Sequence, residues 1–579
     1  MQQVPATPSS PPSNNIYPQI VRISFVQGDV RIARGEDKGG AWEKVAADLP
    51  LATGFNLVTG KGRAEIEFED ASTAYLGEDS VLAFNDLSTT NGTPHTELAL
   101  LSGTLTVHIQ TTFPGEWFVI KTPTDGIAVK YPSKNYLRIN SYLDATSLTP
   151  QEDAIVRLAS TTAQRTVKGQ TVTYSGGRRV LLDTAETPSP DQFTEWDHWV
   201  ADRVAARTVA MSTAMKSAGL TSPVPGLTEM NGQGTFFACA PYGTCWQPTN
   251  GWAHPQSNTP PANSSQPSVT QSSNLQTETP SSDPQQTPSA RKYVKVNQTQ
   301  PTAAASLLYT EDDYFPCTPY PVQNLIARDP VTGNESILYS TLDPYDASYD
   351  WAICHTGTWI NRQHRYIWVA GTKRHHHCPV RWIKNGHNTG YVPLHPHDVV
   401  GKPPINMKYG VFRPTGKKGE SVERIAYDPG HPAKVLDSPP KDFRKPYMPT
   451  LAHVEAPKVE ARMLREPNVG GKDSSLSKER TVALSFDHKS QSFMLARQVT
   501  QGNRTSTVVS PLGGRNGTLQ AHSGEGSFGG GNRGGGSGSF SHASSGGGGA
   551  GGGGFHGGGG GGGGHSGGGG GSGGGGGHK

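Results

Sequence analysis

The sequence AEIEFE at residues 64–69 gives the clearest indication of secondary structure in the first third of the chain. Ala64, Ile66 and Phe68 alternate with three glutamates, and this two-residue period is typical of a β-strand with one buried face and one solvated face. A turn at residues 70–72 follows, and a second apolar run begins at Ala74. The pattern therefore predicts neighbouring strands of an antiparallel β-domain.

The same kind of pattern continues in both directions from this stretch. Upstream, residues 21–25 alternate, residues 27–29 (Gln-Gly-Asp) indicate a turn and alternation resumes at Val30, which together predict a hairpin. Downstream, short apolar runs are separated by Gly, Pro, Asn or Asp, and they lie at residues 98–101, 104–109, 117–121, 127–131, 136–139, 155–158 and 171–174. So many short strands favour an all-β sandwich, roll or barrel.

The order of these markers resembles the FecR domain family from about residue 20 to residue 182. The markers are VQGDVR at 26–31, LVTG at 57–60, AEIEF at 64–68, YLGEDS at 75–80, LLSGTL at 100–105 and FVIKTP at 118–123. The resemblance implies a β-rich module on the outer side of the cytoplasmic membrane, which in its best-known members relays a signal to a sigma factor. Those members carry a cytoplasmic helical segment and a transmembrane helix before the domain. Since neither pattern occurs here, we expect a periplasmic or cell-surface scaffold instead.

Composition limits the remaining possibilities. The sequence contains 51 Lys and Arg residues and 48 Asp and Glu residues. This near balance does not indicate the concentrated basic surface that is typical of a nucleic-acid-binding protein. No apolar run approaches the ~20 residues of a membrane span. The N-terminal sequence MQQVPATPSSPPSNN has neither the charged nor the apolar region of a signal peptide, so we expect export to depend on a leader encoded upstream or already removed.

Composition shifts divide the chain into segments, with 72 Gly and 45 Pro concentrated in particular stretches. We predict a mainly β protein with two folded regions, one docking helix, a long disordered linker and a Gly-rich tail. The expected segments are a disordered 1–18, a FecR-like β-domain at 19–187, an amphipathic helix at 188–220, an aromatic Pro/Tyr/Trp segment at 221–253, a disordered linker at 254–304, a second small β-rich domain at 305–412, a poorly structured 413–512 with a possible strand at 481–486, and a disordered Gly-rich tail at 513–579.

One helix is predicted with a defined start. Residues 189–192, Ser-Pro-Asp-Gln, form a capping box with proline at the first helical position. Phe193, Trp196, Val200 and Val204 then recur at three- and four-residue spacing as an apolar stripe. The stripe predicts a helix that packs on the β-domain, and a partner-binding helix is the alternative.

The five cysteines all lie after residue 238. Cys239 and Cys245 flank a Pro-Tyr-Gly turn and predict a local disulfide, with two free thiols as the alternative. The aromatic stretch around them is similar to segments that follow FecR-like domains in some exported bacterial proteins. A disulfide between Cys354 and Cys378, or from either of them to Cys317, is a further possibility.

Residues 351–398 are rich in Cys and His, the usual ligands of zinc. The candidate metal ligands are Cys354, His355, His375, His377 and Cys378. Their spacing matches no strong zinc motif, so structural or incidental roles are the alternative and no cofactor is expected. A metal-dependent hydrolase centred on this region is a competing function, but Asp398 is the only carboxylate near the later histidines.

A second resemblance covers residues 379–395. The sequence RWIKNGHNTGYVP at 381–393 looks like the closing hairpin of a bacterial SH3-like domain. The resemblance implies binding to cell-wall peptides or glycans, with Trp368, Trp382 and Tyr391 as contact residues. The alternative is that these aromatic side chains form the core of a small β-domain.

These observations together predict a non-catalytic, exported envelope protein that acts as a scaffold, sensor or binding module. Its expected partners are envelope proteins or cell-wall material. The two competing functions are the metal-dependent hydrolase and a cell-wall-binding protein that uses the SH3-like segment.

Overall fold

The computed structural model is mainly β, which confirms the predicted fold class. It describes residues 16–35, 41–110, 114–130, 134–159, 164–175, 178–180, 193–252, 315–319, 322–328, 335–342, 347–363, 365–374, 379–386, 388–399, 402–409, 411–415, 421–425, 431, 433–436, 448–464, 480–501 and 504–512. The predicted linker at 254–304 and tail at 513–579 lie outside these residues. No helix within the described ranges is both long and apolar enough to cross a membrane.

Fifteen strands, β1 to β15, form the first domain. Their bounds are Ile16–Pro18, Arg22–Ala33, Trp42–Lys44, Asn56–Glu67, Thr73–Leu76, Val81–Thr90, Thr93–Gln110, Trp117–Lys121, Gly126–Lys130, Lys134–Ser141, Thr146–Pro150, Ala154–Leu158, Gln164–Thr166, Val172–Ser175 and Arg178–Val180. The long strand β7 pairs with β5, β6, β8 and β10, and only its pairing with β8 is parallel. The first of these strands lies inside the segment 1–18, which was expected to be disordered, so that boundary was wrong.

The core of the first domain is built by the alternating apolar positions. Ala64, Ile66 and Phe68 are buried as their period predicts. The Phe68 and Phe118 rings meet edge to face with centroids 4.9 Å apart. Burial of such side chains supplies most of the free energy that favours folding, since each contributes roughly 1.5–3 kcal/mol.

The predicted hairpin at residues 21–32 is wrong. The segment forms one strand, β2, which pairs with β4 along its length. Gly28 has a φ of 72° and marks a shift in register, so it forms a bulge within the strand. A Gly-containing sequence between two alternating runs is compatible with either a turn or a β-bulge. Which of the two forms depends on the strand that pairs with it.

Helix α1, Glu195–Ala218, follows the first domain but starts later than predicted. Its N-cap is Thr194, whose hydroxyl accepts a hydrogen bond from the N–H of Asp197, and the Asp197 carboxylate accepts the N–H of Thr194 in return. The predicted cap at 189–192 lies outside the described residues and does not start this helix. Ser189 and Gln192 have the same three-residue spacing as Thr194 and Asp197, so sequence alone did not separate the two candidate caps.

The second domain combines segments that were predicted to be separate. Strands β16 (Gly234–Ala238) and β17 (Thr244–Pro248) come from the aromatic segment, and β17 pairs with β21. The other strands are β18 (Val322–Arg328), β19 (Glu335–Leu342), β20 (Thr356–Arg362), β21 (Arg365–Arg374), β22 (Val380–Asn385), β23 (Asn388–Pro393), β24 (Val411–Thr415), β25 (Ser421–Ile425) and β26 (Lys434–Val435). Helix α2 spans Asp350–His355, and 3-10 helices span Leu227–Met230 and Ile405–Tyr409.

Two antiparallel strand pairs lie in this region, and the second is the hairpin predicted at residues 381–393. Strands β18 and β19 pair antiparallel, although the connecting residues 329–334 lie outside the described ranges. Strands β22 and β23 pair antiparallel across the predicted Asn-Gly turn, where Gly386 has a φ of 60°.

The region 413–512, predicted to be poorly structured, contributes a sheet that packs on the first domain. Its strands are β28 (Val459–Met463), β29 (Arg480–Asp487), β30 (Ser492–Gln501) and β31 (Arg504–Pro511), while β27 (His453–Val454) extends the first domain by pairing with β3. The Trp42 ring lies 5.0 Å from the ring of Phe486. The prediction failed because the apolar face of this sheet is buried only against residues several hundred positions away.

Gly103 in β7 provides a test of this architecture. It has a φ of 98°, and a Cβ there would lie 2.5 Å from Ser80 Cα. We expect Gly103→Ala to lower the free energy of unfolding by about 3 kcal/mol, through backbone strain and overpacking together. Gly92, with a φ of 82° and open space around it, is the control, and Gly92→Ala should cost only about 1 kcal/mol. Equal losses in urea denaturation would contradict this packing.

Candidate functional site

The outer face of β4 is covered, contrary to the expectation of a solvated glutamate face. Glu65 is 1% exposed and Glu67 is 0% exposed. Helix α1 covers both side chains, and the backbone N–H of Gly226 donates to both carboxylate oxygens of Glu67 at 3.2 Å. A buried carboxylate is tolerated only when charges or hydrogen bonds compensate for its lost hydration.

Two arginines of α1 supply that compensation. Arg203 donates from Nε and Nη2 to Glu65 Oε2 at 2.9 and 2.7 Å. Arg207 donates from Nη1 to Glu65 Oε1 at 3.0 Å and from Nη2 to Glu67 Oε1. Residues four positions apart share one face of a helix, so both guanidinium groups reach the same strand.

Arg22 extends this charge network to the second domain. Its Nε donates to Glu67 Oε2 at 2.8 Å, and its Nη1 donates to Asp48. Its Nη2 donates to Glu229 Oε1 at 3.3 Å, and its guanidinium carbon lies 5.7 Å from the centroid of the Trp351 ring. Since Glu229 lies in a 3-10 helix and Trp351 in α2, Arg22 connects three parts of the chain.

The pKa of Glu67 is shifted in the opposite direction from the pKa values of Asp48 and Glu229. Burial alone would raise the pKa of Glu67, but the charges of Arg207 and Arg22 outweigh burial and hold that pKa below its ordinary value. For Asp48 and Glu229 burial dominates, so their pKa values are raised despite the attraction of Arg22. Among these three groups, Glu67 is the one whose ionised form the fold favours.

A cleft of about 520 Å³, here called the α1 cleft, opens beside this network at the start of α1. It falls within the ~300–1,000 Å³ typical of small-ligand sites. Its lining residues are Arg63, Gly77, Glu78, Asp79, Thr104, Arg138, Asn140, Thr194, Glu195, Trp196 and Arg462. Strands β4, β7 and β10, helix α1 and strand β28 all contribute to it.

The walls of the α1 cleft are held by hydrogen bonds. Arg138 pairs with Asp197 and donates to Thr194 Oγ1 and Thr149 Oγ1, each at 3.1 Å. Trp196 donates from Nε1 to Thr106 Oγ1 at 2.9 Å. These contacts fix side chains from strand and helix relative to each other, so the cleft is preformed.

The candidate metal ligands do not form a metal centre in the described part of the chain. Cys354 is bonded to Cys317, so it offers no free thiolate. His355 is buried, and its ring centroid lies 4.6 Å from that of Trp351. His375, His377 and Cys378 lie outside the described residues, and no group of three His, Cys, Asp or Glu side chains suited to a metal occurs within them.

Other residues singled out in this region have structural contacts. Cys239 is bonded to Cys245. Asp398 accepts the backbone N–H groups of His395 at 3.0 Å and Ile405 at 2.9 Å, which uses its carboxylate to shape a loop.

The three aromatic residues proposed to contact a ligand are buried. Trp368, Trp382 and Tyr391 belong to one apolar cluster with Trp246 and Trp359. Trp368 donates from Nε1 to the carbonyl oxygen of Thr356 at 2.9 Å. The side chains therefore form the core of the second domain, as the alternative interpretation held.

Comparison with known proteins shows that one part of the chain is similar to a family. Residues 55–131, which run from β4 to the end of β9, match the family described as FecR protein. This match confirms the resemblance identified from the sequence. No curated protein matches the chain in sequence.

Two crystal structures of a candidate anti-sigma factor from Parabacteroides distasonis, at 1.65 and 2.50 Å resolution, also match. The identities are 11% and 10%, and each match covers 20% of this chain with a TM-score of 0.17. The matched region spans 53% of each of those chains, about half their length.

Glu67 tests the importance of the charge network. Glu67→Gln leaves buried Arg22 and Arg207 without their shared carboxylate, and we expect the free energy of unfolding at neutral pH to fall by about 3 kcal/mol. Lys61→Gln is the control, because Lys61 contacts Asp79 and Glu78 on the exposed surface and should leave the unfolding midpoint unchanged. A midpoint for Glu67→Gln that equals the control would contradict the network.

The same variant tests the pH dependence. Because the folded state lowers the pKa of Glu67 from 4.5, its stabilisation is complete above that value and is lost as the pH falls through the folded pKa. The raised pKa values of Asp48 and Glu229 act in the opposite direction. We therefore expect the stability difference between wild type and Glu67→Gln to shrink on acidification below about pH 4.5. A difference that stays constant down to pH 3 would show that the carboxylate charge is not the cause.

Proposed function

We propose that this chain is a non-catalytic, exported protein of the bacterial envelope that acts as a scaffold or sensor, with its FecR-like domain as the frame. The FecR match at residues 55–131 supports a role in signal transduction. The two disulfides, Cys239–Cys245 and Cys317–Cys354, support export, because such bonds persist in oxidising compartments and are rare in the cytosol.

The single observation that carries the non-catalytic scaffold role is that buried carboxylates form ion pairs with arginines. Glu43 pairs with Arg34, Asp197 pairs with Arg138, and Glu65 and Glu67 pair with arginines of other elements. A general acid or base needs a carboxyl group that can reach a substrate and change its protonation state. These carboxylates instead join strands, helix and second domain.

Ion pairs that connect several parts of the chain are compatible with a protein whose conformation responds to a partner. In the FecR-like domain, Glu67 contacts α1 and Arg22 contacts the second domain. Trp42 contacts the C-terminal sheet formed by β28 to β31. Binding that alters the α1 contact changes the energy of the second-domain contact, since Glu67 pairs both with Arg207 of α1 and with Arg22, which contacts the second domain. The proposed partners are envelope proteins or cell-wall material.

Cell fractionation of the native bacterium tests export. We expect the protein in the periplasmic or surface fraction, with four of its cysteines protected from an alkylating reagent until a reductant is added. Mass spectrometry of alkylated peptides measures this directly. Recovery in the cytosolic fraction with all five cysteines alkylated without reductant would refute the proposal.

A further inference from the structure

We propose that the α1 cleft binds a small polar ligand through the ligand's carboxylate group, a step that rests on the sensor role proposed above. The cleft contains hydrogen-bond donors that the protein leaves unused. Arg63 lies 3.9 Å from Glu78 and stacks over the Trp199 ring at 4.9 Å, and it donates no hydrogen bond to any described residue. A guanidinium carries five N–H donors, so Arg63 retains its capacity for a ligand.

Two further donors come from β10. Arg138 is buried, and its Nε–H has no partner among the residues that the structure describes. Asn140 accepts from Thr104 at 2.8 Å through Oδ1, and its amide nitrogen has no hydrogen bond within the described ranges. Residues two apart in a strand lie on the same side, so both face the same space. A buried donor without an acceptor is costly, and an oxyanion from a ligand would satisfy it.

Charge and shape favour a carboxylate over a phosphate. Three arginines and three acidic residues line the cleft, so its formal charges balance. Glu78 and Asp79 are tied to exposed Lys61 at 3.5 and 3.0 Å, and Glu195 is exposed. A singly charged planar carboxylate matches the guanidinium fork, whereas a doubly charged phosphate would also meet these acids.

The size of the cleft sets the rest of the ligand. A volume of about 520 Å³ exceeds that of a carboxylate alone, so the ligand carries a larger body. Trp196, Thr104 and Gly77 supply a wall for that body. An aromatic surface beside polar groups suits a sugar acid or the C-terminal end of a short peptide. Both share the carboxylate chemistry.

Titration calorimetry on the full chain separates these sources with matched probes. The sugar pair is D-glucuronate and D-glucose, and the peptide pair is N-acetyl-D-alanyl-D-alanine and its C-terminal amide; the members of each pair differ at the carboxylate. We expect one acid to bind at least tenfold more tightly than its neutral counterpart. The pair that shows this preference identifies the body of the ligand. Equal binding of acid and neutral probe, binding of inorganic phosphate alone, or no binding of any probe would overturn the proposal.

Variants locate the binding in the cleft. Arg63→Gln should weaken the preferred acid about tenfold, as expected for a lost charged hydrogen bond. Glu195→Gln removes a repelling charge and should tighten binding about threefold. Arg157 is exposed on β12 outside the cleft, so Arg157→Gln is the matched control and should bind as wild type does.

These outcomes separate a cleft effect from misfolding and from the wider proposal. An affinity gain in Glu195→Gln cannot arise from a damaged fold, and unchanged affinities in both cleft variants would overturn the site. Because the titration uses purified protein, its failure would leave the fractionation result intact, and a cytosolic location would leave the titration intact.

Discussion

The burial of Glu65 and Glu67 against Arg22, Arg203 and Arg207 determines how the helix and the second domain sit against strand β4. Two carboxylates on one strand cannot leave water without partners, because the desolvation cost is several kcal/mol per ion. Strand β4 therefore requires a positively charged cover, and α1 provides one. The position of the helix follows from charge as much as from its apolar residues.

The same strand face also explains why a cleft lies beside the helix. Arg63, Glu65 and Glu67 are two residues apart and lie on one side of β4. Glu65 and Glu67 form ion pairs with the arginines of α1. Arg63 lies outside these ion pairs, next to the N-terminal end of the helix. The helix that buries one end of this face leaves its other end open as the α1 cleft.

The sequence predicted which residues of the strands face the core better than it predicted what covers the opposite face. The alternation at residues 64–69 correctly placed Ala64, Ile66 and Phe68 in the core, because that pattern is local. The fate of Glu65 and Glu67 depends on Arg203 and Arg207, which lie 138 and 140 residues further along the chain. Since spacing within a strand says nothing of so distant a partner, the glutamates were expected to face water.

The candidate site was less predictable for the same reason. The Cys and His residues were predicted as metal ligands from composition, yet Cys354 is bonded to Cys317. The aromatic residues of the same region lie in the core of the second domain. The α1 cleft combines Arg63, Asn140, Trp196 and Arg462 from distant segments, and none forms a motif with its neighbours in sequence. The one available signal was the pair Arg203 and Arg207, four residues apart on α1, together with the alternating glutamates of β4.

A double-mutant cycle between Glu67→Gln and Arg207→Gln, measured by equilibrium unfolding at neutral pH, determines whether this buried ion pair holds the helix in place. If the buried pair holds α1 on β4, the two losses are not additive, and the coupling energy is at least about 1.5 kcal/mol. Losses that add to within about 0.5 kcal/mol would show that the helix is held by other contacts and would contradict the account.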